Sequence, residues 1–489
     1  MSVSLASTDS HSIPGNRRHL PPLCVDLDGT LILSDLLLES FVLLLKRNPL
    51  YVFLVGIWLF RGRAVLKAEI AARVDLNPLA LPYNMDFVHW LEAEFRTGRK
   101  LWLCTACNDR LANAVAAHLG FFSGVIASGR EINLAGTAKA GRLVECFGEQ
   151  GFDYCGNEWR DIAIWKRANG AIVVHGSALL EKGAARYAPI LRSFRHRANY
   201  FYAAFRALRP VQWVKNVLVL VPLLASHHTS DPAALAAALL ATVAFCLCAS
   251  SVYILNDLLD LEADRAHFRK SKRPFACGDL PLWTGFLLAP TLLVAAGLIA
   301  ILLPSSFMLV LGVYYALTVA YSYALKGVIL LDAVTLAGLY TLRIVAGAFA
   351  IGIPISFWML LFSIFLFLSL AFVKRFAELD ALQRQERLHA AGRGYEVIDL
   401  PILQSLGSAS GYLSVLVLAL YINSPDIEIL YRRPQVIWIL CVLMLYWISR
   451  VWMKAQRSEM HDDPVVFALR DRVSLSIGVL AAITIILAI

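Results

Sequence analysis

From Val211 to Ile489 the chain is mostly apolar, in runs long enough to cross a bilayer. A spanning helix needs about 20 apolar residues, and only helices or closed barrels satisfy their backbone groups inside a membrane. Runs of suitable length fall near 211–227, 233–255, 283–303, 306–325, 329–350, 355–373, 402–422, 434–453 and 472–489, which gives nine candidate helices. Pro222 and His227 make the first the least regular. The apolar excess is uneven, because residues 1–205 read as a soluble protein. Overall the chain is 58% hydrophobic and 17% charged, with mean hydropathy +0.62. The expected fold class is therefore a soluble domain joined to an all-α membrane bundle of nine transmembrane helices.

Charge sets the expected orientation. The loops at 256–282, 374–401 and 454–471 are rich in Lys and Arg, whereas those near 228–232, 304–305 and 351–354 carry neither. Arg432 and Arg433 are the exception on that second side. By the positive-inside rule the basic loops face the cytoplasm. The net charge of +9 is absorbed by such loops and calls for no nucleic-acid partner. The N-terminus lacks the apolar core of a signal peptide, so residues 1–205 are expected on the same cytoplasmic side. The nine cysteines form no disulfide or metal-ligand spacing beyond an isolated Cys104–Cys107 pair, and read as structural.

One basic loop carries chemistry. Ser251 to Gly278 reads SVYILNDLLDLEADRAHFRKSKRPFACG. Asn256, Asp260 and Asp264 recur every four residues, so a continuous helix would put them on one face, with Asp257 beside the first. Oxygen ligands so placed suit Mg²⁺, which bridges phosphates. Arg265, Arg269, Lys270, Lys272 and Arg273 follow at once, and such cations clamp phosphate oxygens. A solvated charged loop is the bland alternative. Acidic groups abutting an apolar span are costly, which favours function.

Three more clusters fall on the same expected side. Arg209, Gln212, Trp213, Lys215 and Asn216 open the first span. Tyr321, Tyr323 and Lys326 close the fourth, with Asp332 just inside the fifth. Lys374, Arg375, Glu378 and Asp380 close the sixth, and Arg343 lies within the fifth. Each alone reads as interfacial anchoring by snorkelling side chains. Together they describe a cavity for a polyphosphate substrate, Mg²⁺ and a lipid tail among membrane lipids. A transporter would also carry polar groups in its spans, but has no evident need of an acidic helix followed by a basic loop.

The soluble half has its own motifs. Residues 1–20 read as a flexible start, 21–185 as an α/β domain, 186–210 as an arginine- and aromatic-rich amphipathic linker, and 211–489 as the membrane domain. Leu23 to Leu27 is a short buried-strand pattern, with Asp26 and Asp28 at its carboxyl end. Ligands of open α/β sheets bind at such ends. One carboxylate there is placed to attack a phosphoryl group and the other to handle a proton. Thr105 ends a second apolar strand, Lys139 follows in GTAKAGRL, and FDYCGNEWRD carries Asn157 and Asp161. Between the first two motifs, Leu36 to Gly62 holds two apolar pieces broken by Lys46, Arg47 and Pro49. They read as a cap helix pair resting on the membrane or on the other domain, with a spanning hairpin as the alternative.

The soluble set resembles the haloacid-dehalogenase-like (HAD-like) phosphatases, whose fold is Rossmann-like α/β. The resemblance implies Asp26 as nucleophile, Asp28 as general acid/base, Thr105 and Lys139 as phosphate-binding groups, and Asp161 with Asp26 at a metal. Asn157 stands where that family commonly has a metal-binding aspartate. The departure leaves open an active phosphatase or a folded domain of weak activity.

NDLLDLEAD with nine spans resembles the UbiA superfamily of intramembrane prenyltransferases. RPVQWVKN, YSYALK, LRIVAGAFA and MHDDPVVFALRDR resemble its decaprenyl-phosphate phosphoribosyltransferase branch. FVKRFAELDA lacks the second aspartate-rich motif of the aromatic-acceptor members. The resemblance implies Mg²⁺-dependent transfer of 5-phosphoribose from phosphoribosyl diphosphate to a polyprenyl phosphate, in a bacterial-type cytoplasmic membrane. The attached phosphatase would then remove the 5-phosphate. The implied metal set is Asn256, Asp257, Asp260 and Asp264, with Asp257 and Asp260 catalytic. Lys272, Arg273, Lys326 and Tyr321 would hold the donor. Arg209, Lys215, Arg343, Lys374 and Arg375 would orient its 5-phosphate or the lipid phosphate. A conventional prenyltransferase using a prenyl diphosphate is the alternative, and a catalytically silent lipid-binding module a further one. Oligomerisation stays open.

Overall fold

The computed structural model describes residues 20–130, 133–195, 199–384, 394–424, 427, 431–460 and 463–489. The expected flexible start therefore lies almost wholly outside the described residues, as do His461 and Asp462 of the late motif. The chain divides into two compact units, each treated by itself below.

The first unit is a parallel α/β domain. In chain order it holds β1 (Leu23–Val25), α1 (Leu36–Arg47), α2 (Tyr51–Phe60), α3 (Arg63–Ala71), α4 (Met85–Arg96), β2 (Leu101–Asn108), α5 (Asp109–Leu119), β3 (Gly124–Ser128), α6 (Thr137–Phe147), β4 (Asp153–Gly156), α7 (Ile162–Trp165), β5 (Gly170–Val174), α8 (Ala178–Ala184) and β6 (Ile190–Phe194). β1, β4 and β5 are buried at every position, the mark of parallel strands covered on both faces. The strand order is β3-β2-β1-β4-β5-β6, every pairing parallel. β1 therefore has β2 on one side and β4 on the other. Its carboxyl end is the topological switch point, where a crevice opens for ligands. Leu27, Phe87, Leu91 and Val115 belong to one core layer, and Leu143, Phe152, Trp165 and Val173 to a second.

Helices α1 to α3 are an insertion between β1 and α4 with a small core of Leu44, Trp58, Leu66, Ile70 and Val74. None is long enough to span, and α2, the most apolar, has ten residues. The first unit also takes in Leu261–Lys272 and Ala276–Leu282. Within it Arg265 makes a two-pronged pair with Glu39, at 2.6 and 3.1 Å, both side chains buried.

The second unit is all helical. It begins with α9 (Tyr200–Ala207), an eleven-residue 3-10 stretch (Pro210–Leu220) and α10 (Val221–Ala225). Then come α11 (Pro232–Leu259), the short α12 (Leu261–Arg265) and α13 (Pro274–Cys277) of the intervening segment, α14 (Leu282–Ala300), α15 (Ser305–Tyr323), α16 (Leu331–Ala350), α17 (Phe357–Gln383), α18 (Leu400–Ile422), α19 (Trp438–Gln456), α20 (Pro464–Arg470) and α21 (Arg472–Ala488). Among the described residues seven helices are long and apolar enough to cross a membrane, or up to nine if two bent pairs each count as one span. The bent pairs are α9 with the stretch Pro210–Ala225, and α20 with α21. They are the first and last expected spans, and each contains a prolyl start or a capping aspartate that interrupts a straight helix.

The tight stretch 210–220 is held by small residues. A Cβ on Gly347 of α16 would lie 2.0 Å from the carbonyl oxygen of Val219, so only glycine permits this approach. α11 buries Ala234, Ala238, Ala241 and Ala244, which lets neighbouring backbones come close. It ends at Leu259, with Asp260 as its C-cap. The expected common face of Asn256, Asp260 and Asp264 therefore does not continue. Asp260 leaves the helical conformation (φ −103°, ψ 16°), and Asp264 belongs to the separate α12.

Candidate active sites

In the first unit, Asp26 and Asp28 leave the carboxyl end of β1, and Asn157 and Asp161 follow β4 beside it. Gly29 makes the turn possible with φ +70°, and the Asn157 amide packs directly over it. Lys139, on the first turn of α6, donates to Asp26 Oδ1 at 2.8 Å and to the Tyr154 hydroxyl at 3.0 Å. That hydroxyl donates to Asp161 Oδ1 at 3.2 Å. Asp161 Oδ2 accepts the backbone N–H groups of Asn157 and Glu158, both at 2.9 Å. Asn157 Oδ1 accepts from Thr30 at 3.2 Å. Asp26, Lys139, Asn157 and Asp161 thus form one connected cluster. Thr105 is fully buried in β2, and its Oγ1 accepts the Cys107 N–H at 3.0 Å.

The electrostatics separate the two carboxylates of the first loop. Burial, then Asp35 and Asp26, push Asp28 well above the usual carboxylate range. That shift favours the protonated form, which can give a proton to a leaving group. Burial pushes the Lys139 ammonium down, but the Asp26 and Asp161 charges more than reverse it, so it stays cationic. Lys67, on α3, donates to the Ala106 carbonyl at 2.5 Å and lowers Asp28 against these upward pushes. Sequence reading missed it, because nothing in the α3 pattern marks that lysine as facing β2.

Asp26, Asn157 and Asp161 offer only oxygen atoms, which fits a hard cation such as Mg²⁺. Among the described residues they include no third carboxylate, and no group of three His, Cys, Asp or Glu forms a metal cluster. Burial and Asp26 push Asp161 up to about 6. Metal and proton then compete for it. Mg²⁺ affinity of the soluble site should fall by up to about tenfold per pH unit below that value. Isothermal titration with Mg²⁺ at pH 5, 6 and 7.5 checks this; an affinity flat across the series refutes it.

The second unit gathers its polar groups around two carboxylates. Asp257, buried at the end of α11, pairs with Arg209 and, at 3.0 Å, with Arg273. Arg209 holds a left-handed backbone (φ +53°) just before Pro210, a strained conformation for a non-glycine residue. Asp463 pairs with Lys215 at 2.7 Å and with Lys374 at 3.2 Å, and accepts from the Tyr340 hydroxyl at 3.4 Å. Arg343 is buried and meets no carboxylate in its hydrogen bonds. It donates to Asn216 Oδ1 at 2.9 Å, to the Tyr314 hydroxyl at 2.8 Å and to the Leu339 carbonyl at 2.5 Å. The Tyr340 ring lies under both Arg343 and Lys215. Asp260 has Lys326 at 3.6 Å.

Four cations therefore pair with two carboxylates, Arg209 and Arg273 with Asp257 and Lys215 and Lys374 with Asp463, and Arg343 shares the Tyr340 ring with Lys215. The surplus suits an anionic ligand with several phosphate oxygens. Asn256, Asp257 and the part-exposed Asp260 follow one another at the end of α11 and carry amide and carboxylate oxygens, the donor type that suits an Mg²⁺ shared with substrate phosphates. Lys272 and Asp264 belong to the first unit; Lys272 lies over the Phe268 ring.

Arg375 and Tyr321 stand in a different constellation. Arg375 pairs with Asp332 at 2.5 Å and Glu378 at 2.6 Å, and donates to the Tyr321 hydroxyl at 2.9 Å. Tyr395 donates to Asp332 at 2.7 Å. One cation there meets two carboxylates, so no surplus of positive charge remains. Asp332→Ala is expected to cost about 1–3 kcal/mol, because Arg375 keeps Glu378 and Tyr321 but loses one buried partner and the Tyr395 hydroxyl loses its acceptor. A thermal-unfolding scan in detergent should show the loss; an unchanged midpoint refutes it.

Asp463 went unassigned in the sequence reading. Its signal is the Asp-Pro step, where its carboxylate caps α20 by accepting the Val465 N–H at 3.2 Å.

An uncharacterised protein of Sinorhizobium fredii, y4nM, is 36% identical over 474 residues, 96% of this chain and 91% of that protein. The decaprenyl-phosphate phosphoribosyltransferase of Mycolicibacterium smegmatis is 41% identical over 190 residues, 38% of this chain. The match spans only 60% of that enzyme's length. A solved UbiA homologue from Archaeoglobus fulgidus bound to GPP and Mg²⁺ covers 58% of this chain and 97% of its own, at 16% identity and TM-score 0.46. A phosphoserine phosphatase structure covers 37% of this chain and 95% of its own, at 13% identity and TM-score 0.27. The N-terminal unit is a parallel α/β domain with strand order β3-β2-β1-β4-β5-β6. The UbiA prenyltransferase family matches residues 217–475, just over half of the 489 residues and the whole set of cations around Asp257 and Asp463 except Arg209 and Lys215. With its aspartate-rich loop and up to nine membrane-length helices, the chain belongs to the UbiA prenyltransferase family.

Proposed function

We propose that the membrane unit transfers 5-phosphoribose from phosphoribosyl diphosphate to a polyprenyl phosphate. A lipid phosphate oxygen attacks ribose C1, the bond from C1 to the diphosphate oxygen breaks, and diphosphate leaves. The observation that carries this reading is the pairing of four cations, Arg209, Arg273, Lys215 and Lys374, with only two carboxylates, Asp257 and Asp463. Both substrates bear phosphates, and neither needs a second acidic cluster for an aromatic acceptor. The identity with the M. smegmatis phosphoribosyltransferase supports the same reading.

Arg209 and Arg273 share Asp257 and would turn toward phosphate oxygens as charge develops on the leaving group. Lys215 and Lys374 do the same from Asp463. Mg²⁺ held by Asn256, Asp257 and Asp260 would supply further neutralisation of the diphosphate. The soluble unit removes the 5-phosphate from the lipid product. There Asp26 attacks phosphorus, Asp28 protonates the departing ribose oxygen, and water, giving a proton back to Asp28, then cleaves the aspartyl phosphate to release phosphate and regenerate Asp26. The basic loops favour both units working on the cytoplasmic side.

A second reading uses a prenyl diphosphate as donor and a small molecule as acceptor. Family membership favours it more directly than it favours the first. One experiment separates them. Full-length protein in lipid nanodiscs is given Mg²⁺, polyprenyl phosphate and ribose-labelled phosphoribosyl diphosphate, with a parallel tube of labelled prenyl diphosphate and candidate acceptors. Ribose label in the lipid fraction supports phosphoribosyl transfer. Its absence, with prenyl label transferred in the parallel tube, overturns it.

A further inference from the structure

Helix α2 has an apolar surface that the fold does not cover. Val52, Phe53, Leu54, Ile57, Leu59 and Phe60 are all exposed, Phe53 to 72% and Phe60 to 96%. Of its ten residues only Trp58 is buried, with Tyr51 and Val55 packed against the small core of the insertion. Single exposed apolar side chains are ordinary, but six on one short helix form a contiguous patch. At about 15 Å the helix cannot cross a bilayer.

Charge indicates what covers the patch. Lys46 and Arg47 precede α2, Arg61 and Arg63 follow it, and all four are exposed. No Asp or Glu occurs between Glu39 and Glu69. An apolar helix face bracketed by cations at both ends matches the layers of a bilayer surface. Acyl chains take the rings, and anionic headgroups meet the long cationic side chains. A protein partner would need a matching acidic rim around an apolar groove. A bilayer is already at hand, since the same chain carries at least seven membrane-length helices.

We propose that α2 is an interfacial anchor, lying in the surface of an anionic membrane through the face that includes Phe53, Ile57 and Phe60. This holds whichever reaction either unit performs.

The test uses the full chain in nanodiscs, with the photoreactive benzoylphenylalanine placed at one position at a time. Phe53 and Phe60 probe the helix. Leu298, exposed on the membrane-length α14, is the lipid-facing control, and Leu179, exposed on α8, the soluble control. The photoreactive residue keeps an aromatic ring at both phenylalanines, so folding is preserved. Mass spectrometry should find lipid adducts at Phe53 and Phe60 at about the Leu298 yield, roughly tenfold or more above Leu179. Replacing phosphatidylglycerol by phosphatidylcholine should cut the α2 adducts several-fold and leave Leu298 unchanged. Cross-links from Phe53 or Phe60 into the chain itself, or yields at the Leu179 level, would overturn the proposal. Equal α2 yields in both lipids would overturn its anionic part.

Discussion

Replacing Asp257 with alanine is expected to abolish transfer while the membrane unit stays folded. The carboxylate holds Arg209 and Arg273 together at the end of α11. Without it two guanidinium groups lose their common partner, and the oxygen donors beside Asn256 and Asp260 are reduced by one charge. Loss of a preorganised electrostatic group of this kind costs about a hundredfold to a thousandfold in turnover, and more where a metal is lost with it. Both arginines keep about a quarter of their side chains exposed, so water compensates part of the lost pairing and the fold survives. The contrast with Asp332 is the useful control. Its partner Arg375 is 1% exposed, so removing Asp332 should act on stability first. Turnover and unfolding midpoint measured on both variants separate a reacting site from a structural pair. Near-normal turnover of the Asp257 variant would remove this residue from the site.

The same contrast explains how far the sequence could be read. Membrane-length runs are visible because the bilayer demands length and hydrophobicity together, and seven of the nine expected runs each correspond to a single membrane-length helix. The first and last differ: the 211–227 run is a 3-10 stretch followed by α10, and the 472–489 run is α21, each joined at a bend beside Pro210 or Asp471 to a short helix before it. The strand end carrying Asp26 was legible for a similar reason: a short buried run followed by polar groups has few other uses in an α/β fold. Thr105 does not end its strand, since β2 runs on to Asn108. Pairing was not legible. Arg343, Lys374 and Arg375 look alike as cations in apolar surroundings. In the fold Lys374 meets Asp463, Arg375 meets Asp332, and Arg343 meets neutral oxygens. Adjacent residues on a helix point about 100° apart, so Lys374 and Arg375 reach different neighbours. Those neighbours are far away in the chain, and only the packing of α16, α17 and α20 decides them. The end of α11 at Leu259 was hidden too, because a repeat of four predicts a common face only while the helix lasts.

Asp26→Asn should leave transfer intact and stop phosphate release. The amide keeps the shape of the carboxylate but has no charge with which to attack phosphorus, and loss of a nucleophile usually costs at least about a thousandfold. The change also takes the anion from Lys139 Nζ, which sits 2.8 Å from Asp26 Oδ1 and is buried. Lys139 retains the Tyr154 hydroxyl at 3.0 Å and the field of Asp161. The stability cost is therefore that of one charge-assisted hydrogen bond, about 1–3 kcal/mol, and not that of an abandoned charge. The readout is a lipid product that accumulates with its 5-phosphate still attached, measured as label and phosphorus in the same fraction. Transfer that fails together with release would mean that the variant disturbs more than the soluble site, which the unfolding midpoint would register. Phosphate release at the normal rate would take the nucleophile's role from Asp26. Asn157, which brings an amide where a further charge would serve a metal, makes the outcome decisive for this chain. A domain whose wild-type form releases no phosphate from the lipid product has kept the crevice at β1 without its chemistry.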